Sequence, residues 1–155
     1  MIVDTDIKTF VALKYSILTS DESTWHLCDT YPAEVTKSWA WRCAEDVEHL
    51  ATTKESKEVY RVARLYRDGL ATEEEFDKAY TATASPTATA AYAAANAATY
   101  ATYAATYDAT YATCAAYYAA YAAYHDVTEA TEEKWKLYIS WLVEELCKWE
   151  SKHEQ

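Results

Sequence analysis

Hydrophobic positions recur three or four residues apart along most of the chain, which is the spacing of one face of an α-helix. In the first half of the sequence this pattern predicts a series of helices. Tyr31-Pro32 ends the second of them, and Asp68-Gly69 ends the fourth, where glycine can take a left-handed conformation. The predicted helices lie at residues 7–18, around 25–28, at 33–50 and around 59–66.

Two start signals divide the second half of the chain into further helices. Thr72 and Glu75 have the spacing of a capping box, so a short helix is expected from there to about residue 83. Ser85-Pro86 places an N-cap residue before a proline at the first helical position. Nothing in the sequence stops the helix that begins there until about Asp126. We therefore expect one long Ala/Tyr-rich helix over about 86–126, followed by an amphipathic C-terminal helix over 128–152.

The long segment sorts its side chains onto three faces when each residue is turned by 100° about a helix axis. Threonines, among them Thr99, Thr102 and Thr113, form a narrow face, which Tyr117 and Tyr124 join lower down, and alanines fill the remainder. A stripe about 100° wide carries nearly all the other tyrosines. Its members are Tyr92, Asn96, Tyr100, Tyr103, Tyr107, Tyr111, Cys114, Tyr118, Tyr121 and His125.

The tyrosine stripe has two interpretations. It can pack on the Trp-rich amphipathic helices as part of the core, with its hydroxyls at the rim. Alternatively, part of it lines a groove or a subunit interface, where Tyr and Trp are enriched as anchors. Ten tyrosines lie between residues 80 and 124, which is more than one internal face uses, so a homo-oligomer is expected.

Composition narrows the fold class and the partners. A chain of 155 residues is expected to be a single helical domain, with residues 1–84 of mixed composition before the long helix. One Gly and two Pro exclude many short strands, which leaves an all-α helical bundle. The net charge of −11 disfavours nucleic acid polymers and anionic membranes. Asp4 and Asp6 stand where a secretory signal needs basic residues, so we expect a cytoplasmic protein, in the host cytoplasm if a phage encodes it.

The sequence predicts no catalytic, metal or cofactor site. Gly69 is the only glycine, which excludes glycine-rich nucleotide-binding loops. The four cysteines form no CxxC pair, and no two of the four histidines have ligand spacing. A function without catalysis is therefore expected.

Two stretches resemble a known family. Residues 39–50, WAWRCAEDVEHL, and residues 68–76, DGLATEEEF, precede the Ala/Tyr-rich segment. Together they resemble bacterial and phage Imm-5-like immunity proteins over about residues 38–125. The resemblance implies a small, soluble, helical protein that neutralises a toxin or a defence factor by binding it, and it brings no catalytic residues.

Three binding functions follow from these features. The first is an immunity or anti-defence protein that neutralises a toxin or antiviral-defence protein by sequestering it. The second is an oligomeric sponge for a nucleotide-derived immune signal, with bases stacked on Tyr or Trp and phosphates held by an arginine. The arginines considered for this role are Arg42, Arg61, Arg64 and Arg67. The third is an ice-binding threonine face, since Thr99 with Thr110 and Thr102 with Thr113 repeat at eleven residues. The candidate binding residues are Tyr100, Tyr103, Tyr107, Tyr111, Tyr118, Tyr121, Trp39, Trp41, Arg42, Arg61 and Arg64.

Overall fold

The computed structural model describes residues 31–83, 89–106, 111–124 and 128–153. These residues form six α-helices and no strand, so the predicted all-α class is confirmed. The helices predicted at residues 7–18 and around 25–28, and the helix start at Pro86, lie outside the described residues. The helices are α1 (Ala33–Asp46), α2 (Lys54–Arg67), α3 (Glu73–Thr81), α4 (Thr89–Thr106), α5 (Tyr111–Tyr124) and α6 (Thr128–His153), with a 3₁₀ turn at Glu48–Leu50 between α1 and α2.

Local sequence signals set several helix ends. The predicted capping box at α3 is present: the Glu75 amide donates to Thr72 Oγ1 at 3.1 Å, and the Thr72 amide donates to Glu75 Oε2 at 2.7 Å. Thr53 and Ser56 make the equivalent pair at the start of α2. Each box satisfies amides that have no partner within the first turn of its helix.

Gly69 ends α2, as its position in the sequence predicts. Its φ is +75°, a conformation that side chains with a Cβ rarely adopt. The Gly69 amide donates to Tyr66 O at 3.1 Å, and the Leu70 amide donates to Leu65 O at 2.7 Å. These two bonds are the Schellman arrangement, which closes the helix and turns the chain towards α3.

Helix α4 is the centre of the bundle and packs on α1, α2 and α5. Small side chains cover nearly its whole surface, so the neighbouring backbones can approach closely. Thr99 and Thr102 are buried too, and their hydroxyls donate to Ala95 O and Ala98 O, both at 2.9 Å. Its buried alanines are Ala91, Ala93, Ala94, Ala95, Ala97, Ala98, Ala101 and Ala104.

The prediction of one long helix over about 86–126 is wrong. Helices α4 and α5 pack side by side, and the rings of Tyr100 and Tyr118 lie parallel with their centroids 5.2 Å apart. Eighteen residues of continuous helix would separate those positions by about 27 Å. A single long helix would leave most of its alanine surface in water. Two separate helices instead bury their alanines against each other and against α1.

Large side chains fill the space around the alanine-rich pair. Trp39 of α1, Tyr60 of α2 and Phe76 of α3 are fully or almost fully buried. The Trp39 indole N–H donates to Tyr138 O at 2.7 Å, and the Tyr60 hydroxyl donates to Ala44 O at 2.7 Å. Both buried polar groups therefore have partners.

The C-terminal helix is amphipathic, as its sequence predicts. Helix α6 packs on α1 and α5 through one stripe of apolar side chains. Its Tyr138 hydroxyl donates to Asp46 Oδ2 at 2.8 Å, and Lys134 Nζ lies 2.7 Å from the same oxygen. This pair of contacts fixes α6 against the end of α1. The buried stripe consists of Trp135, Tyr138, Ile139, Leu142, Val143 and Leu146.

Candidate functional site: a tyrosine face

Six tyrosine rings from α4 and α5 form one continuous cluster, which we call the tyrosine face. Because α5 folds back on α4, tyrosines that are far apart in sequence become neighbours. The alanine sides of both helices are buried, so the rings lie on the side of the pair that reaches solvent. The members of the tyrosine face are Tyr100, Tyr103, Tyr111, Tyr117, Tyr118 and Tyr121.

Tyr100 is the centre of this cluster. Its ring stacks on Tyr118 and on Tyr111, with centroid distances of 5.2 and 5.8 Å, and meets the edge of Tyr103 at 5.9 Å. Tyr118 in turn meets the edge of Tyr117 at 5.4 Å. Offset and edge-to-face pairs of this kind are favourable, so the rings hold one another in place.

Solvent reaches the far end of the tyrosine face most easily. Tyr117 is 44% exposed and Tyr121 is 36% exposed, and their rings stack with centroids 6.4 Å apart. Tyr100, Tyr103 and Tyr118 are half-buried. The tyrosine face therefore combines half-buried rings that pack on one another with two accessible rings at one end.

Acidic residues border the other end of the tyrosine face. Tyr103 meets the edge of Phe76 in α3 at 6.0 Å, so the face adjoins that helix. Burial raises the pKa of Tyr103, and the nearby carboxylates of Asp77 and Glu73 raise it further. Aromatic rings thus lie within electrostatic reach of carboxylates at this border.

Burial raises the pKa of Tyr100 to about 12 from an ordinary value of 10.0, with a smaller contribution from Tyr118. The folded protein therefore holds this proton more tightly than the unfolded chain does. The stability that follows is complete below pH about 10 and is lost as the pH rises towards about 12. We expect a Tyr100→Phe variant to lose less stability than the parent across that interval, as measured by denaturant unfolding.

Absorbance of tyrosinate near 295 nm supplies the direct check on this prediction. Tyr100→Phe should remove one phenol that ionises only at high pH. Tyr92→Phe, which changes an exposed position of the same helix, is the comparison variant. Identical titration curves for the two variants would show that Tyr100 is not protected in the folded state.

The structure places the predicted tyrosines together but not the predicted tryptophans. Tyr100, Tyr103, Tyr111, Tyr118 and Tyr121 all belong to the tyrosine face, and Tyr107 lies outside the described residues. Trp39 lies apart from that surface, because its ring is completely buried in the core. Trp41 is only 6% exposed and is covered by a guanidinium group, that of Arg67, 5.0 Å from its ring centroid.

The three predicted arginines also lie away from the tyrosine face. Arg42 Nη2 lies 2.9 Å from Glu144 Oε2, and its guanidinium group covers Trp141 at 4.4 Å. The other two pair with glutamates: Arg61 Nε donates to Glu58 at 2.9 Å, and Arg64 Nη1 donates to Glu48 at 2.6 Å. The Arg64 bonds lower the pKa of Glu48 and raise that of Arg64. All three guanidinium groups are therefore already paired with carboxylates of the protein.

Three threonines of the predicted ice-binding face lie inside the bundle, whereas Thr106 is exposed and its hydroxyl donates to Thr102 O at 2.9 Å. Thr99, Thr102 and Thr113 are buried, and the hydroxyls of Thr99 and Thr102 are bonded to their own helix. An ice surface cannot reach them. Thr110 lies outside the described residues.

Sequence reasoning missed one member of the tyrosine face. By angle Tyr117 lies on the threonine side, 100° from Tyr118. In the structure its ring nevertheless stacks with Tyr121 and meets the edge of Tyr118. The adjacency of Tyr117 and Tyr118 is the signal that could have found it, since two consecutive aromatic rings widen a stripe.

Reactive groups are scarce in the described parts of the chain. Cys43 and Cys114 are free thiols. Burial raises the pKa of Cys43 well above its ordinary value and that of Cys114 to about 11. Thiols with raised pKa values are poor nucleophiles at neutral pH. The described residues contain no group of three or more His, Cys, Asp or Glu that could hold a metal ion.

None of the helices in the described ranges combines the length and the apolar character that a membrane span requires. No protein-family model, curated protein or solved structure matches the chain. The resemblance to Imm-5-like immunity proteins therefore stays a prediction.

Proposed function

We propose that this protein is a non-enzymatic binding protein that captures a basic partner protein on its tyrosine face. In the setting that the Imm-5-like resemblance implies, the partner is a toxin or an antiviral-defence component, and capture neutralises it. The observation that carries the proposal is the collection of six tyrosine rings on the solvent side of the α4–α5 pair, with Tyr117 and Tyr121 exposed.

The chemistry of tyrosine supports a protein partner. Each ring buries a large area while losing only two side-chain torsions, and its hydroxyl can bond to a polar partner group. The stacking around Tyr100 already restricts several of these torsions, so less entropy is lost on binding. A rigid aromatic surface of this kind is typical of the anchors that dominate protein interfaces.

Electrostatics supports a basic partner. The chain carries a net charge of −11, and the carboxylates of Glu73 and Asp77 lie near Tyr103 at one border of the face. An acidic molecule attracts a cationic partner and accelerates the encounter. Lys or Arg side chains of the partner can then lie over tyrosine rings and gain cation–π attraction.

A peptide of alternating arginine and alanine, labelled with a fluorophore, is a defined probe for this face. We expect it to bind the protein, and a matched peptide of glutamate and alanine not to bind. Replacing Tyr117 and Tyr121 together with serine should weaken binding of the arginine peptide by about tenfold. Each exposed ring contributes about 0.5–1 kcal/mol of cation–π attraction, and about 1.4 kcal/mol is a factor of ten in affinity. Fluorescence anisotropy measures both affinities.

Leu137→Ser is the control, because it removes an exposed apolar side chain from α6 instead. It should leave the affinity unchanged, and both variants should keep the thermal stability of the parent. Equal loss of affinity in the two variants, or no loss in either, contradicts the proposal. Sedimentation supplies a second check: if a second copy of the chain occupies the face, the parent is a dimer that the tyrosine double variant dissociates, and the partner-capture proposal fails.

A further inference from the structure

A cleft separate from the tyrosine face lies between α1, α2, α4 and α6. It has a volume of about 530 Å³, within the range of small-molecule sites. Three cationic side chains contribute to it, one of them from α2 and two from α1. Its lining consists of Lys37, Ser38, Trp41, Arg42, Glu45, Arg67, Ala105 and Glu145.

One of these cations is fully used by the fold. Arg42 lies between Glu144 and Glu145, at 2.9 and 3.3 Å. Glu145 also accepts from Ser38 Oγ at 3.2 Å and lies 3.5 Å from Lys148 Nζ, so its charge is compensated. This network forms one wall of the cleft and is not available for a ligand.

The other two cations keep most of their capacity. The Arg67 side chain is 40% exposed, and its ion pair with the adjacent Asp68 is long, at 3.5 Å. Lys37 is exposed and has no ion pair with any described residue. Glu45 is the one lining carboxylate without such a partner in the described chain, so these three side chains together carry a single positive charge.

Arg67 makes a cation–π contact with Trp41 at one side of the cleft. The guanidinium carbon lies 5.0 Å from the ring centroid, and Trp41 is held almost completely within the protein. At this distance the guanidinium group is attracted to the indole ring, and its N–H donors remain paired along its edge. Such an edge matches the two oxygens of a carboxylate or a phosphate.

We propose that this cleft binds a small anion-bearing molecule, with its phosphate or carboxylate group held by Arg67 and Lys37. The ligand lies over Ala105, whose small side chain leaves the floor of the cleft open. An aromatic base cannot stack directly on Trp41, because Arg67 covers that ring. The recognised chemistry is therefore the anionic group, and the rest of the ligand occupies the remaining volume.

The cleft is independent of the tyrosine face. Ala105 follows Tyr103 by two residues on α4, which is a turn of about 200° about the helix axis. The two surfaces thus lie on roughly opposite sides of the central helix. Loss of one binding activity is not expected to remove the other, so the two proposals can fail separately.

Nuclear magnetic resonance of the tryptophan indole N–H groups tests the cleft directly. The Trp41 resonance is assigned with a Trp41→Phe variant. Inorganic phosphate, adenosine monophosphate and glutarate are then titrated separately to millimolar concentrations. We expect the Trp41 resonance to shift saturably with at least one of them, and the comparison shows whether a phosphate or a carboxylate is preferred. No saturable shift with any of the three overturns the proposal.

Variants identify the residues that hold the anion. Arg67→Gln should weaken binding by about tenfold, since it removes a charge-assisted pair of hydrogen bonds. Arg61→Gln is the matched control, because it removes the same charge from the same helix but pairs with Glu58 outside the cleft. Glu45→Gln should tighten binding, since it removes the uncompensated carboxylate.

Together these variants distinguish binding at a specific site from attraction by the overall charge of the protein. Equal weakening by Arg67→Gln and Arg61→Gln would mean that only the overall charge matters, and the proposal would be wrong. If Arg67→Gln fails to fold, as judged by its circular dichroism, Lys37→Gln replaces it at an exposed position. Unchanged affinity in both Lys37→Gln and Glu45→Gln also contradicts the assignment.

Discussion

Replacement of Ala101 with leucine is expected to lower the free energy of unfolding by about 3 kcal/mol. Ala101 is completely buried on α4, which packs on α1, α2 and α5. A leucine needs space that closely packed helix backbones do not leave, so either the helices separate or the side chain takes a strained rotamer. Thermal unfolding should show a fall in Tm of about 10 °C.

Ala82→Leu provides the control for this prediction. Ala82 is exposed at the C-terminal end of α3, so the same change in volume has room there. Its effect on the free energy of unfolding should stay within about 0.5 kcal/mol. If Ala101→Leu were equally harmless, α4 would not be the tightly packed centre of the bundle, and the alanine surfaces would need another explanation.

Local signals in the sequence predicted much of the fold. The capping box at Thr72 and the glycine at position 69 each act within a few residues, and the structure places a helix start and a helix end there. Helix α1 begins at Ala33, as predicted, whereas the helix that Pro32 was predicted to stop lies outside the described residues. The apolar stripe of α6 is likewise a repeat within a single helix. Such features depend on the chain near each residue, so periodicity and turn chemistry are sufficient to locate them.

The separation of α4 from α5 depends on contacts that no local signal reports. Between residues 87 and 124 the sequence contains neither glycine nor proline, so nothing predicts an interruption. The advantage of two helices comes from burying alanines of one against alanines of the other, which is a tertiary effect. Ala101 of α4 and Ala115 of α5 are both completely buried, yet either would be half-exposed on an isolated helix.

The candidate site shows the same division between local and long-range information. The helical spacing of Tyr100 and Tyr103 predicted a shared face, whereas the stacking of Tyr100 on Tyr118 requires the chain to fold back. The pairing of Arg42 and Arg64 could not be predicted, because their carboxylate partners are distant in sequence, whereas Arg61 pairs with Glu58 three residues away. Arg42 pairs with Glu145, which is 103 residues away, and no spacing rule connects them.

Replacement of Trp39 with alanine is expected to have the largest effect of any single change, about 4 kcal/mol. Trp39 is completely buried between α1 and α6, and its indole N–H donates to Tyr138 O at 2.7 Å. Truncation removes the ring from the core and leaves a cavity that surrounding helices fill only in part. A shift of the denaturant midpoint with an unchanged slope would report this loss as a change in stability.

Two further variants show how much of the lost stability comes from the Trp39 ring and how much from its N–H hydrogen bond. They are Trp39→Phe and Trp149→Ala. Phenylalanine keeps most of the buried ring and loses the N–H, so about 1–2 kcal/mol is expected. Trp149 is half-buried near the end of α6, where its ring stacks on His153 at 4.2 Å, so truncation there should cost less than half as much as at Trp39. Since sequence reasoning assigned Trp39 to ligand binding, the comparison also tests that role. A Trp39→Ala variant that kept its stability but lost affinity for the arginine peptide would place the ring in a binding site instead of the core.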